Sequence, residues 1–116
     1  MAQRTFLSIA RAARTSAAWT LPEGTREFDL SVVGPDWTAG SGNELLLVLE
    51  QSFDAGATWL HWLSAGLTPT LDKDGAGLLP ASIGWELPPG DRNARLVRVR
   101  ATPNRAFRHG IVGLYS

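Results

Sequence analysis

Between two apolar runs, Leu45–Leu49 and Trp59–Leu63, the chain reads Ser52-Phe53-Asp54-Ala55-Gly56-Ala57-Thr58-Trp59. No other stretch restricts the fold as much. An aspartate accepts hydrogen bonds from nearby backbone amides and holds a tight reversal, which is the role read for Asp54. Gly56 takes positive φ, which other residues resist. The hydroxyls of Ser52 and Thr58 fall where they bridge the base of a hairpin. The Trp59 ring folds back under the turn and shields those bonds from water. Ser52, Asp54, Gly56, Thr58 and Trp59 therefore form one mechanical unit that joins two strands.

The rest of the chain repeats this pattern of short runs and sharp stops. Glu27 to Val32 alternate polar and apolar, with Phe28, Leu30 and Val32 inward, and Gly34, Pro35 and Asp36 end the run. Leu45, Leu47 and Leu49 share one face and Leu46 and Val48 the other, as in a central strand. Trp59–Leu63 is the return strand, and residues 64–80 read as a long loop. Ile83, Trp85 and Leu87 alternate with Ser82, Gly84 and Glu86, before a stiff turn at Pro88–Asp91. Residues 95–101 follow, with Val97, Val99 and Ala101 inward and Leu96, Arg98 and Arg100 outward. Residues 106–115 form the last strand. Residues 6–19 fit either helix, which alanine favours, or strand, and are read as strand because the rest of the chain is all-β. The expectation is an all-β fold: a single-domain antiparallel β-sandwich over residues 1–116, immunoglobulin-like or jelly-roll-like, with residues 1–14 as a candidate N-terminal arm.

At 116 residues the chain fits one domain, and it holds no cysteine, which removes disulfides and thiolate chemistry. No stretch approaches the roughly 18 apolar residues of a membrane span. The apolar part of the first fourteen residues is interrupted by Ser8 and Arg11, so the segment reads as mature protein rather than as a secretory signal. Net charge is zero but uneven. Residues 1–14 hold three basic groups and no acid, residues 15–91 two basic groups and eleven acids, and residues 92–116 six arginines and no acid. Such blocks pair within a fold or between neighbouring subunits.

Catalytic and cofactor patterns are weak, and the chain is read as a non-enzyme without cofactor or resident metal. Asp72, Asp74 and Gly75 hint at a calcium loop, but the required further oxygen ligand and distant Glu are missing, which favours a solvated turn. His61 reads as a hydrogen-bonded structural histidine and His109 as a surface or interface residue. Arg92, Arg95, Arg98, Arg100, Arg105 and Arg108 invite a nucleic-acid reading, yet zero net charge and arginine's preference for interface ion pairs argue against it.

The Ser52–Trp59 stretch resembles an Asp-box, the S-x-D-x-G-x-T-W hairpin of sialidases, related propellers and assorted β-sandwich proteins. Ala55 stands where many such boxes have a second glycine. In sialidases the box is structural, so the resemblance gives Asp54 no catalytic role. A wider likeness spans residues 4–115. Trp37 to Gly40, Ser52 to Trp59, Trp85 to Gly90 and the basic strand Arg95 to Arg100 together resemble small tailed-phage virion proteins of the head decoration or cement type. That resemblance implies an oligomer, a dimer or trimer, that binds the major capsid protein or another virion protein on the capsid surface and is assembled in the host cytoplasm. A tail or neck protein is the near alternative.

With five tryptophans, a carbohydrate-binding β-sandwich module is the rival reading. Trp59 and Trp85 read as core. Trp37 in a loop, and Trp62 on the face opposite Trp59, are left to stack on sugars or to bury in a subunit contact. The interface expected for the virion reading comprises Trp37, Trp62, Leu67 and Leu78 of the long loop, with Arg98 and Arg100 pairing with acids on a neighbour.

Overall fold

The computed structural model describes residues 2–69 and 82–116. Among these residues nine strands follow one another: β1 (Ala2–Ala10), β2 (Arg14–Thr15), β3 (Trp19–Leu21), β4 (Glu27–Val33), β5 (Leu45–Ser52), β6 (Leu60–Leu67), β7 (Ser82–Glu86), β8 (Arg95–Pro103) and β9 (His109–Tyr115). A 3-10 turn, Pro89–Asp91, precedes β8. No helix among the described residues is long and apolar enough to cross a membrane.

The strands form two antiparallel sheets, β1-β9-β4-β7 and β2-β8-β5-β6, with β3 also on β8. β2 and β3 are two pieces of one interrupted strand. Between them Ser16 keeps the ladder to β8 closed: its amide donates to the Val99 carbonyl at 2.7 Å, and its hydroxyl accepts the Val99 amide at 2.9 Å. Counting the two pieces as one strand, the first strand pairs with the last, the second with the next to last, and so on inward to the β5–β6 hairpin. A long hairpin of paired strands rolled up on itself is the jelly-roll winding, which decides between the two sandwich types expected.

The alternation read in the sequence places the core. Phe28 and Leu30 of β4, Leu45, Leu47 and Leu49 of β5, Val97 and Val99 of β8 and Ile111 of β9 are fully buried between the sheets. Each such side chain contributes roughly 1.5–3 kcal/mol of apolar burial. Phe6, Trp19, Phe28 and Tyr115 continue the core as an aromatic cluster, with centroid separations of 4.9–6.2 Å. Trp85 packs on Phe28 at 5.0 Å.

The first residues form the strand expected of them, β1 pairing with β9 of its own chain at the edge of the sheet, while other readings change. The local alanine preference yields to the sheet edge that β9 offers. β6 runs on to Leu67, because Leu63, Ala65 and Leu67 continue the period-two pattern opposite Leu49, Leu47 and Leu45. A bulge between Leu49 and Glu50 breaks the simple alternation in β6. As a result Trp62 and Leu63 both pack against the core, while His61, opposite Glu50, is exposed. Trp59 is only half-buried and lies outside the core cluster. Leu78 and the Asp72–Gly75 segment lie outside the described residues.

Candidate functional site

At one end of the sandwich sit the β5–β6 turn, residues 22–26 and residues 87–94. Asp54, Ala55, Gly56 and Ala57 make the reversal. Ala55 and Gly56 take φ of 60° and 91°, and the Ala57 amide donates to the Asp54 carbonyl at 3.3 Å. Positive φ at both central residues is the mark of a type I′ turn, whose twist matches that of paired strands. The Ser52 hydroxyl donates to Asp54 Oδ1 at 2.8 Å and accepts the Gly56 amide at 2.9 Å, and the Thr58 amide donates to the same Oδ1 at 2.8 Å. These bonds, the Thr58 amide first and the Ser52 hydroxyl next, hold the Asp54 carboxyl below its usual range. Beside the turn, the Arg98 guanidinium lies 4.1 Å above the Trp59 ring, and its Nε donates to Glu50 Oε1 at 3.2 Å.

Arg95, read from the sequence as part of a basic surface, is buried at this end. Its Nε donates to the Asn93 carbonyl, Nη1 to Gln51 Oε1, and Nη2 to the Asp91 carbonyl and carboxylate, at 2.6–3.2 Å. Its guanidinium also lies 5.0 Å from both the Phe53 and Trp62 rings. A buried arginine is tolerated because every side of it has a partner. The shallow hollow between Thr20, Phe53, Ala55 and Leu96 opens over this arginine, each of whose three nitrogens already donates a hydrogen bond.

The opposite end is built from residues 11–13, 34–44 and 104–108. Here Arg108 grips Asp36 three ways: its amide and Nε donate to Oδ2 at 2.7 and 3.0 Å, and Nη2 donates to Oδ1 at 2.8 Å. The grip of Arg108 pulls the Asp36 carboxyl down to about 2. Asn43 Nδ2 donates to the Asp36 carbonyl at 2.9 Å, and Asn104 ties Gly42 to Glu44. Gly34, with φ of 141°, lets the chain turn hard against the Arg108 carbonyl, where a Cβ has no room. Beneath this network Trp37 is 5% exposed and stacks on Phe107 at 5.9 Å. His109 is fully buried; its Nδ1–H donates to the Phe107 carbonyl at 2.9 Å. Burial pushes its imidazole below the usual histidine value. Trp37 Nε1 and His109 Nε2 have no hydrogen-bond partner among the described residues.

These contacts redistribute the residues singled out by sequence. Ser52, Asp54, Gly56, Thr58 and Trp59 come together as one hairpin unit. Trp37 is unavailable as a surface anchor, because it plugs the far end on Phe107. Trp62 is half-buried against Trp85 at 5.0 Å, and Leu67 against the core. His109 is interior rather than on the surface, and His61 is exposed rather than a hydrogen-bonded structural residue. Of the six C-terminal arginines, only Arg100 makes no side-chain hydrogen bond or ion pair among the described residues. Among the same residues no group of three or more His, Asp or Glu side chains gathers as a metal site.

Comparison of the chain with models of protein families, with curated proteins and with solved structures returned no match. The molecule's own surfaces therefore carry the functional argument.

The outer sheet faces keep large apolar side chains in water. Ile9 is 53% exposed and Val33 38% on the β1-β9-β4-β7 sheet, and Leu46 is 47% exposed on the other. The first pair flanks Gly110. Glu27, Asp29 and Glu86 share that outer face, at the end nearer the hairpin. This acidic and apolar face was missed in the sequence. The alternation of Glu27 to Val33 already carried half of it, because every residue opposite Phe28, Leu30 and Val32 had to face outward.

Proposed function

We propose that this protein is a structural component of a tailed-phage virion, of the decoration type, which self-associates and docks on the major capsid protein. The observation that carries the reading is the division of labour between ends and faces. The polar side chains that resembled chemistry are consumed in fastening the ends, whereas both broad sheet faces keep Ile9, Val33 and Leu46 in water. Exposed apolar side chains on a rigid sheet are what a protein contact uses. The jelly-roll winding, shared by many capsid and lectin domains, agrees with this reading without requiring it. The sugar-stacking alternative has less support, since Trp37 is buried, Trp62 packs on Trp85, and the Trp59 ring has Arg98 over it.

The test is the particle. Peptide mass spectrometry of purified virions encoded with this chain should find it in fixed ratio to the shell protein. Purified protein should also co-sediment with shells stripped of their accessory proteins. Its absence from particles, together with no binding to stripped shells, overturns the virion reading.

A further inference from the structure

We propose that copies of this chain stack face to back, the outer face of the β1-β9-β4-β7 sheet of one copy docking on the outer face of the β2-β8-β5-β6 sheet of the next. This deepens the self-association proposed above and rests on it.

The first face contains an unfavourable arrangement. Glu27 of β4 lies directly opposite Glu86 of β7, and Asp29 is the next outward residue on β4. Like charges directly opposite on paired strands destabilise a sheet. None of the three carboxylates has an ion-pair partner among the described residues. Towards the Trp37 end the same face changes character, with Ile9 and Val33 exposed on either side of Gly110.

The second face carries the complementary pattern in the same order. Leu46, beside Gly66 and Thr102, stands at the Trp37 end. Arg100, opposite Val48, and Arg98, opposite Glu50, follow towards the hairpin. Arg100 is exposed and has no ion-pair partner among the described residues. Two copies stacked in the same orientation set Leu46 against Ile9 and Val33, and the free Arg100 against Asp29 and Glu86, while Arg98 keeps its own-chain partner Glu50. Pairing either face with itself does worse. One orientation brings acid onto acid, or arginine onto arginine, and the reverse orientation sets charge on apolar surface. The occupant that both charge and order select is a second copy in a heterologous contact, which closes into a ring or grows as a stack.

The experiment is a charge exchange read by native mass spectrometry and analytical ultracentrifugation of the full chain. One variant carries Asp29→Lys and Glu86→Lys, the other Arg100→Glu. Thermal melts confirm that each folds. Wild type is expected to assemble and to dissociate as salt is raised. Each variant alone should be monomeric, and mixing the two should restore assemblies containing both in equal amounts. A wild type that stays monomeric at millimolar concentration overturns the stack. So does assembly by either folded variant alone, or failure of the mixture to reassociate. Particle binding is read separately. A chain found in virions but unaffected by the exchange loses only the stacking proposal, and a chain that stacks but is absent from particles loses only the virion reading.

Discussion

The two ends of this sandwich solve the same problem with different means. Both must fasten the turns and loops at the rim of the sheets. At the hairpin end the β5–β6 turn is fastened locally: Ser52, Asp54, Gly56 and Thr58 satisfy one another within seven residues of chain, beside the longer reach of Arg95 to Gln51. The Trp37 end is fastened at long range, where Asp36 holds Arg108 across 72 positions and Gly42 holds Asn104 across 62. A local unit forms as soon as its strands pair. A long-range network exists only once the sheets have closed, so its bonds depend on the whole fold. The comparison predicts that the hairpin end tolerates single changes and that the Trp37 end responds to them through the core.

The largest effect separates the tryptophans of the two ends. Trp37→Ala removes a buried ring from its stack on Phe107, and an unfolding free-energy loss of about 3–5 kcal/mol is expected in urea denaturation. Trp59→Ala removes a half-exposed ring whose main partner is Arg98, and a loss of about 1 kcal/mol is expected. Equal losses would remove the distinction between the ends.

Acid should open the Trp37 end first. His109 is held neutral by burial, with the Arg14 guanidinium nearby adding to the penalty on its charged form. Its folded value lies below the ordinary 6.5, so unfolding takes up a proton in mild acid. The stability linked to neutral His109 is complete above pH 6.5 and declines as pH falls below it. Asp36 adds a second loss at the same end, between pH 3.8 and about 2, as its grip on Arg108 is protonated away. Hydrogen exchange followed from neutral pH to pH 5, corrected for intrinsic rates, should show residues 34–44 and 104–108 losing protection while the Gly56 and Thr58 amides keep theirs. Replacing His109 with Gln should flatten the first step, and Asp36→Asn the second.

The same contrast explains what could be read from the sequence. The hairpin was legible because its logic is contained in eight consecutive residues, and the strands were legible because a period of two is local. Trp37 was misplaced because its loop, rich in small turn residues, looks like surface. Its cover comes from Phe107 and the Asp36–Arg108 clamp, about seventy positions away. His109 was assigned to the surface because it follows Arg108, although strand alternation turns neighbouring side chains to opposite sides. Arg95 looked like the start of a basic stripe, yet it shares the inward phase of Val97 and Val99, and Gln51, Asp91 and Asn93 supply the partners that let it stay inside. The bulge that turns Trp62 inward has no sequence signal of its own.

Two small changes within the hairpin measure how self-sufficient it is. Ser52 is 1% exposed and its hydroxyl serves both Asp54 and the Gly56 amide. Ser52→Ala should cost about 1–2 kcal/mol in urea denaturation, the usual loss when a buried amide is left without its acceptor.

The smallest effect has the opposite sign. Ala55 sits at φ 60°, the one non-glycine residue in the left-handed region among those described. A Cβ there costs roughly 1–2 kcal/mol. Glycine at the same position removes that strain but gives the unfolded chain more freedom, which returns roughly 0.4–1 kcal/mol. Ala55→Gly should therefore raise stability by up to about 1 kcal/mol, with no change in the spectra of core residues. Paired with Ser52→Ala, the gain should shrink, because the Gly56 amide that fixes the turn then lacks its acceptor. A gain that stays the same in both backgrounds would mean that the hydroxyl and the turn backbone act independently. The hairpin would then be a set of separate bonds rather than one unit.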